Sequence, residues 1–393
     1  MPLPGEGRGK PLSEEKRRDG EAATGDFLIA ASVPRGEPLC LSHLREACRG
    51  DAQDARLAVV HVRTPFARRP GASFAARIIP SSRRHASVSL LVLLIALLAQ
   101  HTYPPPARPP LLRLYGRLCL AIRQKFDAGD RNSGIFGWVV LMTAVLVPAI
   151  FLTMLAARIH PAALALLDLA VLYGSLRFLA TMRELSALEK SLRAGDTRSA
   201  LSMLGEWQGQ GLDDADAGAL ARVAAEHALR EAHQGTFALL FWFLVLPGPV
   251  GVVLYAASLR AARAWEHRVE PHERDFGWFA GVAFMLLDWI PQRVSAFAFA
   301  IVGDFEDALF SWRTQAASWP RREEAVVLAA GAGALKVRLG EPIPAGGAWV
   351  PRPTLGVGDM AGEDALASLE GLLWRCLVLW VVVYLLAVVL QMR

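Results

Sequence analysis

The stretch FALLFWFLVLPGPVGVVLYAAS, Phe237 to Ser258, decides how this chain is read. It is long and apolar enough to span a bilayer, yet its centre is Pro247-Gly248-Pro249, followed two residues later by Gly251. Proline removes a backbone donor and clashes with the preceding turn, and glycine costs about 1 kcal/mol against alanine in a helix. Inside hydrocarbon a missing backbone hydrogen bond is at its most costly. Two readings are open: a complete span kinked at the prolines, and a re-entrant hairpin that dips in, turns and returns. Charge favours the hairpin, because it keeps Arg260, Arg263, Arg268 and Arg274 on the cytoplasmic side.

The surroundings make a membrane setting credible. Of 393 residues, 53% are hydrophobic, and they gather in runs nearly free of charge, as in an integral membrane protein. A net charge of +5 fits basic cytoplasmic loops, and no interleaving of aromatic and basic residues points to nucleic acid. Cys40, Cys48, Cys119 and Cys376 are scattered without a CxxC pair, which argues for isolated thiols.

Residues 1–86 carry 15 Lys/Arg against 10 Asp/Glu and no sustained period, so they read as a disordered basic extension or as an upstream mis-assigned start. The apolar region begins too far in for a signal peptide. Residues 87–393 form the membrane domain. SVSLLVLLIALLAQ (87–100) is a short first span, and LLRLYGRLCLAIRQKF (111–126) is a basic amphipathic helix for the headgroup region. GIFGWVVLMTAVLVPAIFLTML (134–155) and PAALALLDLAVLYGSLRFLATM (161–182) are two spans joined by a tight turn. Residues 183–235 and 304–371 are polar, cytoplasmic-side regions. GWFAGVAFMLLDWIPQRVSAFAFAIVG (277–303) is a second interrupted run, and LLWRCLVLWVVVYLLAVVLQ (372–391) is the last span. The expected fold is an all-α bacterial inner-membrane protein, multi-pass, with five or six membrane segments, two of them broken by Pro or Gly.

Asp288 and Arg293 flank Pro291 at membrane depth, where charges face one another or a cavity. They form a candidate polar intramembrane site, together with Glu226; the bland alternative is an ion pair or cap that locks a helix break. Glu231, His227 and His233 read as a solvated helix surface, and no histidine has metal-ligand spacing. The catalytic residues are unassigned and no metal site is expected. GAGALKVRLG (331–340) lacks the ending of a Walker A loop and reads as a tight turn that lets backbone approach a phosphate. A transporter built on the two broken helices fits the same physics but shows no inverted repeat.

In this order the pieces resemble the CobD/CbiB family of membrane proteins. The likeness rests on LRAGDTRSALSML (192–204), Glu226 followed by the opening stretch, IPQRVSA (290–296), AGALKVRLG and RPTLGVGD. It implies an adenosylcobinamide-phosphate synthase of cobalamin biosynthesis, joining adenosylcobyric acid to an aminopropanol moiety with ATP and magnesium. Departures stand beside it. Arg230, Glu231 and Gln234 occupy the family's acidic-amide cluster, Phe284 and Met285 its paired aspartates, and Asp288 an amide position. Phe and Met offer no hard oxygen donor for a metal. LLDWIPQRVSAFAFAIVGDFEDALFSW (286–312) is similar to the AmpE-like branch. The expectation is therefore an AmpE-like protein with a binding, sensing or regulatory role, no confident cofactor, and as partners the lipid bilayer and a corrinoid or envelope-derived small molecule. The synthase is the alternative.

Overall fold

The computed structural model describes residues 82–104, 110–208, 215–246, 248–266, 273–345 and 348–392. Nearly all of the basic segment 1–86, and Pro247, lie outside the described residues. What is described is mostly helical. The first helices are α1 (Ser82–Thr102), α2 (Pro110–Phe126), α3 (Arg131–Ile159) and α4 (Pro161–Ser175). Asp130 starts α3 by accepting the Ser133 N–H at 3.0 Å. His160 closes it, and its Nδ1 accepts the Ala162 N–H at 3.1 Å with Pro161 in the first turn of α4. The tight turn between the two apolar runs is thus built locally.

After α4 come α5 (Phe178–Arg193), α6 (Thr197–Gln208), α7 (Ala217–Ala232), a π turn (His233–Phe237), α8 (Ala238–Val245) and α9 (Val250–Trp265). Then follow α10 (Glu273–Val302), α11 (Phe305–Gln315), α12 (Arg322–Leu335) and α13 (Glu363–Met392). Four helical runs are long and apolar enough to cross a membrane: 131–159, 161–193, 276–302 and 363–390. Their outward side chains, among them Phe151, Leu166, Leu286 and Leu390, stay exposed, as lipid contact requires. Residues 89–102 of α1 form a shorter apolar helix.

Of the two expected interruptions, one is present. The opening stretch breaks between α8 and α9, where Leu246 is extended and Gly248 takes a left-handed φ of 64° that only glycine adopts freely. The two arms then run back along each other, with Gly251 so close to the Trp242 carbonyl that an added Cβ would sit 2.3 Å from its oxygen. The tip lies against α3 and α4, since a Cβ on Gly248 would meet Thr153 Cγ2 at 3.0 Å and Asp168 Oδ1 at 3.6 Å. The 277–303 run, by contrast, is one continuous helix with Pro291 inside it. Proline there removes one backbone donor, and the helix continues through it.

A break that was not expected falls between α4 and α5. Leu176 is extended, and the carbonyls freed around it are taken by Gln100 Nε2, at 2.8 Å to Tyr173 O and 3.0 Å to Leu176 O. The Arg177 N–H crosses to Gly235 O at 3.0 Å. A buried backbone opening survives because another element supplies its partners.

The expected all-α class holds for the mostly helical frame, to which a small β region is added. Residues 337–360 form two small sheets: β1 (Val337–Leu339) lies between β4 (Leu355–Gly356), antiparallel, and β5 (Asp359–Met360), parallel, while β2 (Ile343–Ala345) pairs with β3 (Ala348–Val350). The glycine-rich stretch is no phosphate loop. Gly331 and Gly333 lie in α12, where a Cβ would sit 2.6 Å from Leu229 Cδ2 and 2.3 Å from Asp307 O, so they permit close helix contact. Lys336 turns left-handed to end the helix and bonds Asp304 at 2.9 Å.

Gly251→Ala should destabilise the chain by about 1–3 kcal/mol, because backbone on the opposite arm cannot move aside. Gly116→Ala, in open space on α2, should be neutral or gain up to about 1 kcal/mol. Thermal unfolding in detergent compares them, and equal melting temperatures would refute the close approach.

Candidate functional site

At the centre stands α7, an alanine-rich helix buried along almost its whole length. Small side chains let neighbours approach, so the polar residues it carries end up inside. Glu226, Arg230 and His233 recur at helical spacing along one stripe. Glu226 Oε1 accepts the Gly340 N–H at 2.9 Å and Oε2 accepts Arg352 Nη1 at 2.5 Å. Burial pushes the Glu226 carboxyl up, and Arg352 only partly offsets this. Arg230 pairs with Glu324. Glu226 therefore ties α7 to Gly340 before β2 and to Arg352 after β3, and does not join Asp288.

One step further, the π turn brings His233 to Asp288. Its Nε2 lies 3.1 Å from Asp288 Oδ1 and its Nδ1 lies 2.9 Å from Ser295 Oγ. The Tyr255 hydroxyl donates to Asp288 Oδ1 at 2.8 Å and Gln292 Nε2 to Oδ2 at 3.1 Å. Asp288, Tyr255 and Ser295 have 0% exposure, so this centre is closed to solvent. Arg293 is not part of it. Its guanidinium turns outward over its own helix, donating to Trp289 O at 2.7 Å and lying 3.9 Å from the Trp289 ring centroid. The expected Asp288–Arg293 pairing is absent because the two residues point to different sides of α10.

The residue after His233 opens on a different group. Gln234 Oε1 accepts Arg263 Nη2 at 2.5 Å, and the same nitrogen lies 3.2 Å from Glu231 Oε1. Arg177 Nε approaches Glu231 Oε2 at 3.3 Å from the α4–α5 break. Burial pushes the Glu231 carboxyl up, but the Arg263 and Arg177 guanidinium groups outweigh it and hold it down at about 2. Ser175 and Arg260 complete a cleft between that break and the α8–α9 hairpin. The solvated surface expected for Glu231, His227 and His233 is thus buried. Burial also pushes the His227 ring down to about 3, leaving it neutral with its ring against Trp207.

Sequence reasoning missed Tyr255, Gln292, Ser295, Ser175 and Arg177 as site residues. The available signal was the alanine-rich composition of α7, which marks a central helix whose polar residues need internal partners. Among the described residues, no group of three or more His, Cys, Asp or Glu side chains could hold a metal ion. Gly248 and Pro249 mark the hairpin tip; Pro247 lies outside the described residues.

A mostly helical membrane protein with a sealed polar centre beside a basic cleft is the class these features define. The family model described as CobD/Cbib protein matches residues 93–373, and the chain belongs to that family. A cobalamin biosynthesis protein CobD of Stutzerimonas stutzeri is 31% identical over 294 residues, 74% of this chain and 95% of that protein. Its namesake in Chromobacterium violaceum is 30% identical over 307 residues, covering 77% and 97%. One from Mycobacterium tuberculosis CDC 1551 is 27% identical over 270 residues, covering 67% and 85%. No solved structure gives a significant match.

These relatives overturn the AmpE-like regulatory reading. That reading treated Phe284 and Met285 as the loss of the synthase's acidic catalytic site, whereas proteins matching three quarters of the chain carry a cobalamin biosynthesis name. Phe284 packs beside Tyr255 at 5.5 Å between ring centroids, lining the centre that Asp288 and His233 form.

Glu231→Gln should lower the melting temperature at neutral pH. The folded carboxyl titrates below its ordinary value, so its stabilisation is present above about pH 4.5 and is lost as pH falls toward 2. The gap from wild type should narrow over that window; a constant gap would contradict the ion cluster. Tyr255→Phe should cost about 1–3 kcal/mol by removing a buried donor to Asp288.

Proposed function

We propose that this chain acts in cobalamin biosynthesis as an adenosylcobinamide-phosphate synthase, forming an amide between the carboxyl group of adenosylcobyric acid and the amine of an aminopropanol moiety. One observation carries the reading: the match covers 95% and 97% of two relatives named for that pathway. The cleft between the α4–α5 break and the hairpin suits such chemistry. It brings donors of three elements to an apolar wall, where hydrogen bonds to developing charge are strongest.

The ligation implies ATP and magnesium. The carboxyl groups near the cleft do not fit a preformed magnesium cage. Asp288 is filled by His233, Tyr255 and Gln292, and Glu231 by Arg263 and Arg177. Magnesium prefers water and phosphate oxygens with one or two free carboxylates. No step is assigned to the metal.

In this reading the protein is multi-pass in the bacterial inner membrane and the α8–α9 hairpin is re-entrant. Antiparallel arms and the contact of Arg263 with Glu231 and Gln234 support it, since both arms begin at the same level. Cysteines placed at Glu206 and Glu266, in a background without native cysteines, should both react with an impermeant maleimide from the cytoplasmic side; labelling from opposite sides would rule out the re-entrant path.

Expressed in a bacterium lacking its synthase, the gene should restore cobalamin-dependent growth on cobyric acid. Growth on cobinamide, which already holds the amide, should not depend on it. Failure on cobyric acid in a strain producing the membrane protein would overturn the reading.

A further inference from the structure

Two aspartates stand inside the apolar bundle, and their surroundings differ. Asp288 has His233, Tyr255 and Gln292 around it. Asp168, on α4, lies in a helical run of membrane-crossing length and is 4% exposed. Its Oδ1 is buried without a hydrogen-bond partner, and the carboxyl forms no ion pair among the described residues. A carboxyl group in apolar surroundings with neither donor nor opposite charge destabilises a fold, unless something else completes it.

The groups beside Asp168 are acceptors. Its Oδ1 faces the hairpin tip, where a Cβ on Gly248 would lie 3.6 Å from it and 3.0 Å from Thr153 Cγ2, with Leu164 as an apolar wall. Helices α3 and α4 and the tip therefore converge on one place. The Thr153 hydroxyl donates to Ala149 O at 2.7 Å and keeps lone pairs to offer. At the tip α8 ends with Val245, and Pro249, four places on, has no N–H for the Val245 carbonyl. The last carbonyls of a helix also carry the negative end of its dipole. Carboxylate, hydroxyl and helix-end carbonyls are hard oxygen acceptors, and a cation is what completes such a set. One carboxyl group balances one positive charge. Among the described residues no group of three or more His, Cys, Asp or Glu could hold a metal ion, so a divalent ion here would leave net charge in an apolar setting.

We propose that a monovalent alkali-metal cation binds between Asp168, Thr153 and the tip of the α8–α9 hairpin. Interrupted membrane helices hold sodium with parts of this kind, a helix C-terminal end and nearby oxygen side chains. The place lies at the end of α9 opposite to Arg260 and Arg263, so it is separate from the basic cleft and does not rest on the synthase reading. Bound there, the cation ties the hairpin tip to α3 and α4 and fixes how deep the hairpin sits.

The full-length protein, purified in detergent and exchanged into N-methylglucamine chloride, is melted at constant ionic strength while sodium chloride, or in a second series potassium chloride, replaces that salt. The wild-type melting temperature should climb with at least one of the two ions, by about 3 °C or more near saturation. Asp168→Asn should lose the response, and Thr153→Val should raise the concentration that gives half the rise about fivefold. Leu166→Ala, at an exposed position of α4, should respond as wild type does. Thr153→Val keeps the test valid if Asp168→Asn fails to fold. A wild type indifferent to both ions, or a response that either site variant leaves unchanged, would overturn the proposal.

Discussion

A carboxyl group fully buried in a helix of membrane-crossing length has to find donors before the surrounding helices can close on it. Asp288 finds them on three sides, from His233, Tyr255 and Gln292. Gln292 is on its own helix, one turn on, and adds little constraint. His233 stands in the π turn that leads into one arm of the hairpin and Tyr255 on the other arm, so a single side chain on α10 ties both together. A shift of either arm would leave a donor or the carboxyl unpaired, at about 1–3 kcal/mol for each lost partner. Apolar contacts alone would tolerate such sliding far better.

That centre and the basic cleft meet at the π turn His233–Phe237. In an uninterrupted α-helix one stripe serves one neighbour. At the turn His233–Phe237 consecutive residues reach different partners: His233 meets Asp288 while Gln234 meets Arg263. The break at Leu176 contributes in the same way, because it frees the Arg177 N–H for Gly235 O and swings Ser175 and Arg177 to the cleft. Both irregularities are held by groups from other elements, and both lie at the place where chemistry is proposed. Regular helices build the frame here, and its two faults build the site.

Much of the frame was legible in the sequence. Long apolar runs gave the membrane-length helices, the Pro-Gly-Pro break gave the hairpin turn, and an acidic residue in an apolar run singled out Asp288. Legibility failed where the deciding partner is distant. The Leu176 break depends on Gln100, whose amide is 76 positions away, and nothing local announces it. Pro291 carries the usual signature of an interruption, yet tertiary contacts keep α10 whole. Arg293 looked like a partner for Asp288 because the two are close in sequence. Five residues along a helix is well over a full turn, so its side chain leaves on another side and lies over Trp289.

The family comparison and the geometry also correct how missing motif residues are weighed. Phe284 and Met285 stand where paired aspartates were expected, and counted alone they say that the acidic site is gone. In three dimensions acidic side chains do stand nearby, each engaged by protein donors. Asp288 takes up an acidic position one helical turn further along α10, and Glu231 supplies another on α7, each surrounded by donors that suit it. Phe284 then becomes intelligible as the apolar wall against the Tyr255 ring. A carboxyl group acts through the donors and charges around it, so its role belongs to the place it occupies in the fold and can move between neighbouring positions. Loss of a residue from a motif is therefore weighed with the groups that surround its place in the fold, here Asp288 with its three donors and Glu231 between two guanidinium groups.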